Sequence, residues 1–193
     1  MNKNICVSGN SMFKNLLFSI ICILFFASCE KSEFIADFNQ TNNRIWIGED
    51  FLSVPLEEWQ VKDGRLECVG NQKNKRVNLL TTFLNGKGDV KVEMNLGLNK
   101  MGEISGRAGI SLGLSDETDH SIKSLCFYGT GTDVGINTDG YIFIEQSRKN
   151  LPTEFDYEEI KLEVNASGKD ENCEISLIVT DRNGKSVSLQ KSD

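Results

Sequence analysis

Four dipeptides, Asp63-Gly64, Asn85-Gly86, Asp139-Gly140 and Asn183-Gly184, punctuate the chain, and each is a pair that tolerates the positive φ of a tight hairpin. Short apolar alternations run between them. Arg76 to Phe83, Asp89 to Leu98, Arg107 to Leu114, Ser124 to Tyr128, Asp133 to Asn137, Tyr141 to Gln146, Glu159 to Asn165 and Cys173 to Thr180 are the strand candidates. Period-two spacing is clearest in Val90, Val92, Met94, Leu96, Leu98 and in Ile160, Leu162, Val164, the pattern of strands with one face in a core. Both prolines, Pro55 and Pro152, fall outside these segments. Sustained helical spacing is absent after residue 30, although Val54 to Glu58 suits a short turn of helix. About nine or ten strands in roughly 150 residues exceed a minimal immunoglobulin sandwich and suit a jelly-roll sandwich of two antiparallel sheets.

The first thirty residues follow a different logic. From Leu16 to Phe26 every residue except Ser19 is apolar, a run too short to cross a hydrocarbon core of about 30 Å as a helix but matched to the h-region of a signal peptide. Lys14 precedes it, and Phe26-Ala27-Ser28-Cys29 closes it with small residues before a cysteine. This ending resembles the lipobox of bacterial lipoproteins. The resemblance implies acylation of Cys29, cleavage before it, and a membrane partner reached through the lipid at the cell envelope, on the outer membrane or the cell surface. Residues 1–28 are then the signal peptide, with Met12 an alternative start, residues 29–44 a polar tether, and residues 45–193 the domain.

Composition narrows the partners. The chain carries a net charge of −7, and losing the two lysines of the first 28 residues takes it to −9. Nucleic acid, which needs clustered Lys and Arg, is not expected as a partner. Of the six cysteines, Cys6 and Cys22 leave with the signal and Cys29 is acylated, so Cys68, Cys126 and Cys173 remain. They form no CxxC pair for a zinc finger. They read as small hydrophobes on strands, with one disulfide left open.

Trp46-Ile47-Gly48-Glu49-Asp50-Phe51, Leu56 to Cys68 with its Trp59-x-Val61-x-Asp63-Gly64-x-Leu66 core, and Arg76-Val77-Asn78-Leu79-Leu80-Thr81 carry a family likeness. So do Gly106-Arg107-Ala108-Gly109-Ile110 to Gly113 and the hairpin from Asp139-Gly140 to Phe143. These segments resemble the N-terminal concanavalin A-like or laminin G-like domain that precedes the catalytic domain of bacterial alkaline phosphatase D-like phosphoesterases. The resemblance implies a concanavalin A-like jelly roll over about residues 45 to 190 and a non-catalytic accessory role. The phosphoesterase metal clusters would lie downstream, and Asp193 is the last residue. The physics of the motif is that of a hairpin: Trp59, Val61 and Leu66 alternate toward a core while Asp63-Gly64 turns the chain.

Catalytic and metal residues are not assigned, and no cofactor is expected. The single histidine, His120, lies in Ser115-Asp116-Glu117-Thr118-Asp119-His120, whose spacing is not that of an EF-hand. Gly129-Thr130-Gly131 lacks the lysine of a phosphate loop and reads as a bend between strands. The alternative to an accessory module is a carbohydrate-binding or carbohydrate-active sandwich, with a glycan or a protein as partner. Paired carboxylates about 5 to 9.5 Å apart would mark a glycosidase, and aromatics along one sheet would mark a glycan reader. At the C-terminus, Ser186 to Gln190 offers a hairpin partner for Cys173–Thr180 and nothing further. A truncated domain is therefore expected, with backbone near Trp46–Phe51 and Cys173–Thr180 lacking neighbours.

Overall fold

The computed structural model describes residues 33–39, 42–70, 73–82, 88–98, 105–169 and 172–192. The chain divides into two units, Met1–Asp37 and Phe38–Asp193. In the first, residues 33–37 are described and have no helix or strand. Cys29, the apolar run and the Asn85-Gly86 pair lie outside the described residues.

The second unit is built from antiparallel strands. In chain order these are β1 (Phe51–Val54), β2 (Trp59–Lys62), β3 (Arg65–Cys68), β4 (Arg76–Leu79), β5 (Gly88–Leu96) and β6 (Arg107–Ser115). After a short helix, α1 (Ile122–Tyr128), come β7 (Thr130–Asn137), β8 (Tyr141–Ile144), β9 (Ser147–Asn150), β10 (Ile160–Lys169), β11 (Asn172–Asp181) and β12 (Ser186–Ser192). A 3-10 turn at Leu56–Glu58 falls within the segment expected to bend. Two four-stranded sheets, ordered β12-β11-β10-β5 and β6-β7-β8-β9, are accompanied by the two-stranded pairs β1-β4 and β2-β3.

Alternation explains why the large sheets face one another. Ile160, Leu162 and Val164 of β10 and Ile175, Leu177 and Val179 of β11 meet Val134 and Ile136 of β7 and Ile142 and Ile144 of β8 in one buried cluster. Burial of each such side chain is worth about 1.5–3 kcal/mol, so this layer supplies most of the drive to close the two sheets into a sandwich. The opposite face of β5 and β10 is a charge lattice. Glu93 stands across from Glu163, and Lys91 and Lys161 offset that repulsion with contacts to both carboxylates, at 2.6 and 3.3 Å for Lys91 and 3.2 and 3.6 Å for Lys161.

Turn chemistry fixes the registers. Asp63 and Gly64 take φ of 50° and 75° and join β2 to β3, with Trp59 across from Cys68 and Val61 across from Leu66. Asn43 and Arg44 are bound to this hairpin: the Asp63 N–H donates to Asn43 Oδ1 at 2.8 Å, and Arg44 and Val61 exchange backbone bonds at 2.9 and 2.7 Å. Gly140 and Gly184 take φ of 92° and 81° at the other two described turns.

Three sequence expectations need correction. Ser124–Tyr128 is helical, part of α1, because Asp116 and Ser121 cap it: Ser121 Oγ accepts the Ser124 N–H at 3.2 Å, and Asp116 accepts the Ser124 hydroxyl. Gly129, read as part of a bend between strands, is the C-terminal cap of that helix. Finally, the flanks of Cys173–Thr180 are not bare. Strand β11 is interior, bonded to β10 on one side and to β12 on the other, while Phe51 onward pairs with β4 and Asp50 accepts the Leu80 N–H at 2.8 Å.

Candidate functional site

Asp116 and Asp119 of the acidic loop before α1 are taken by nearby N–H groups and hydroxyls. Asp116 Oδ1 accepts the Thr118 N–H at 2.9 Å and the Thr118 hydroxyl at 2.8 Å, and Oδ2 takes the Ser124 hydroxyl. The Ser124 hydroxyl, then the Thr118 groups, hold the Asp116 carboxyl well below the usual carboxylate range. Asp119 likewise accepts the Ser121 N–H and hydroxyl. His120 is exposed beside them. No group of three His, Cys, Asp or Glu among the described residues is placed to hold a metal ion.

The cysteines separate by environment. All three are free thiols: Cys173 packs against the core from β11 as expected, Cys126 is buried but on α1 rather than a strand, and Cys68 is exposed at the end of β3. Trp59 is half-buried, and its indole N–H is buried without a hydrogen-bond partner.

The outer face of the β6-β7-β8-β9 sheet carries a different arrangement. Its registers set side chains in rows: Arg107, Asn137, Tyr141 and Asn150 in one, and Gly109, Gly135, Phe143 and Arg148 in the next. Residues directly opposite share a face, and the intervening Ile110, Ile136, Ile142 and Ile144 point to the core. Gly109 and Gly135 are required by close approach. A Cβ on Gly135 would stand 2.2 Å from the Ala108 carbonyl oxygen, and one on Gly109 would stand 2.0 Å from that of Val134.

Phe143 points away from the core yet is only 5% exposed. The Arg107 guanidinium carbon lies 5.1 Å from the center of its ring, and that of Arg148 lies 4.8 Å from the center of the Tyr141 ring. Such a contact holds a guanidinium beside the ring and leaves N–H groups to bond elsewhere. Arg107 also donates to the Tyr141 hydroxyl oxygen at 3.3 Å.

A buried amide orients the tyrosine. Asn137, 3% exposed, accepts the Asp139 N–H at 2.6 Å and the Ser105 hydroxyl at 3.2 Å through Oδ1, and its Nδ2 donates to the Tyr141 hydroxyl at 2.9 Å. The Tyr141 oxygen thus accepts from both Arg107 and Asn137, which leaves its own O–H to donate. Among the described residues neither Arg107 nor Arg148 pairs with a carboxylate. Chemically, the face is a set of positioned donors: two guanidinium groups and one phenol.

Arg107 and Phe143 lie within the resembled segments, which give them no role, and Arg148 lies outside them. The available signal was Arg107-x-Gly109-x-Ser111 alternating with Ala108, Ile110 and Leu112. That pattern puts a cation on the solvent face. Strand β9, Ser147-Arg148-Lys149-Asn150, has no apolar residue to reveal it.

No helix among the described residues is long and apolar enough to cross a membrane. No family model, curated protein or solved structure matches this chain.

Proposed function

We propose that this chain is a non-catalytic β-sandwich module, a concanavalin A-like jelly roll of the kind that precedes the catalytic domain in alkaline phosphatase D-like phosphoesterases, held at the cell envelope by a lipid on Cys29. The observation that carries the module reading is the filled interior: ten aliphatic side chains from four strands occupy the space between the sheets together with Phe155. Recognition then falls to the outer surface. The lipid reading is supported by Leu16–Phe26 and the Ala27-Ser28-Cys29 ending. A single acyl chain binds a membrane only marginally, and the diacyl anchor that a lipobox implies is what makes attachment stable.

Metabolic labelling with a radioactive fatty acid tests the anchor. The chain incorporates label and sediments with membranes, and Cys29→Ser loses both properties. Labelling of the Cys29→Ser variant at the parent level overturns the anchor.

A second reading, a carbohydrate-binding surface, is favoured by one observation: Tyr141 and two exposed arginines share the outer face of one sheet, over the buried Phe143 and Asn137. The two readings are compatible, since an anchored accessory module can bind a glycan.

A further inference from the structure

We propose that Arg107, Arg148 and the Tyr141 hydroxyl form a binding site for oxyanion groups, carboxylate or sulfate, carried on a sugar polymer. The proposal rests on the carbohydrate-binding reading and states which class of carbohydrate the face takes. Three features of the face lead to it.

The first is the donor inventory. A guanidinium offers N–H pairs in a fixed fork that matches a carboxylate or sulfate edge, and both guanidinium groups lie within cation–π distance of an aromatic ring. Tyr141 accepts two bonds and has its proton left to give. A cluster of donors turned to solvent is complementary to an acceptor-only group. The second is charge context. In a chain of net charge −7, Lys91, Lys161, Arg182, Lys185 and Lys191 are engaged with carboxylates, whereas Arg107 and Arg148 are engaged with rings. Their charge is available to a ligand.

The third feature separates ligand classes. A reader of neutral sugars needs an open aromatic face to stack on. Here Phe143 is 5% exposed and a guanidinium covers each ring, so charge must do the reading. An acidic peptide would bring apolar side chains, and this face offers them no open apolar surface. Nucleic acid needs clustered Lys and Arg along its phosphate backbone, and this face offers two arginines. What fits is a ligand that is polar throughout and presents oxyanions to the two guanidinium forks. An acidic polysaccharide has those properties. The exposed Gly109 and Ser111 continue the face past the cations without an apolar group, up to the Asp133 carboxylate, which bounds the oxyanion site.

Affinity electrophoresis of the detergent-solubilised full chain through gels containing polygalacturonate, dextran sulfate, plain dextran or polyglutamate tests this directly. Polygalacturonate or dextran sulfate retards the chain, and which of the two acts identifies carboxylate or sulfate as the source. Plain dextran and polyglutamate do not. Arg148→Gln weakens retention about tenfold or more, the scale of a lost charge-assisted bond. The Arg107→Lys/Arg148→Lys pair keeps the charge but loses the fork and weakens retention as well. Arg148 is exposed on an edge strand, so its variant decides the matter even if Arg107→Gln unfolds. Retention by plain dextran as strong as by the acidic polymers overturns the proposal. So does polyglutamate retention equal to polygalacturonate, which marks a peptide partner, absence of retention by any acidic polymer, or unchanged binding by Arg148→Gln. Membrane attachment through Cys29 is read separately and is unaffected by the arginine variants, so failure of one does not imply failure of the other.

Discussion

At the scale of single residues, carboxylates in this chain organise backbone. Asp181 is 4% exposed and accepts the N–H groups of Asn183 and Lys185 on Oδ1, each at 2.9 Å, and that of Asp156 on Oδ2 at 3.2 Å. Burial raises its pKa, but the bonds from Lys185, Asp156 and Asn183 outweigh burial and hold it below the ordinary 3.8. A depressed folded pKa contributes stability that is complete above the unfolded pKa and is lost as pH falls through the folded value. Asp181→Asn places an amide donor against the Asp156 N–H. Thermal melts should therefore show the variant less stable than the parent at neutral pH, with the gap narrowing as pH falls from about 4 toward 2. A gap that widens on acidification would contradict the assignment. The same economy accounts for the acidic loop at Asp116: its sequence advertised carboxylates, but not that Asp116 and Asp119 would be taken by hydroxyls and N–H groups two to eight residues away.

Elements were legible where alternation and turn chemistry agreed. Strands β5, β6, β10 and β11 were foreseen because period-two runs were bounded by turn residues, and the Asp63-Gly64 hairpin because only a few residue pairs accept two successive positive φ values. Helix α1 was misread since Leu125-Cys126-Phe127-Tyr128 is a short apolar run, and such runs do not distinguish strand from helix. The evidence for a helix lay upstream in the Asp116 and Ser121 caps. Strand β9 was hidden for the opposite reason: it lies at the sheet edge, where polar residues are the usual protection against further pairing. Its arginine was hidden with it. Gly135 is one of the positions at which the β6-β7 ladder has no room for a Cβ. Gly135→Ala should cost about 1–3 kcal/mol, the range of overpacking substitutions, seen as a lower urea midpoint at unchanged slope. A neutral outcome would mean that the strands do not approach as closely as described.

For the whole molecule, the two large sheets divide the work. Their inner faces meet in the aliphatic core. One outer face is neutralised by the Lys91, Glu93, Lys161 and Glu163 lattice, while the other presents arginines on aromatic rings. Sequence alone implied the sandwich, because hairpins in series with one apolar face each must pair those faces. It could not show which outer face was charged without being paired, since that depends on which strands become neighbours: Arg107 and Arg148 lie 41 positions apart in the chain and both reach Tyr141 only through the β6-β7-β8-β9 order.

The central claim, that this face is the binding surface, is tested most directly by arginine footprinting with phenylglyoxal, read by mass spectrometry of the full chain with and without saturating polygalacturonate or dextran sulfate. Arg107 and Arg148 should be protected by ligand, while the exposed Arg65 on β3 and the ion-paired Arg182 react equally in both samples. Protection of Arg65 or Arg182 with Arg107 and Arg148 unchanged would contradict it.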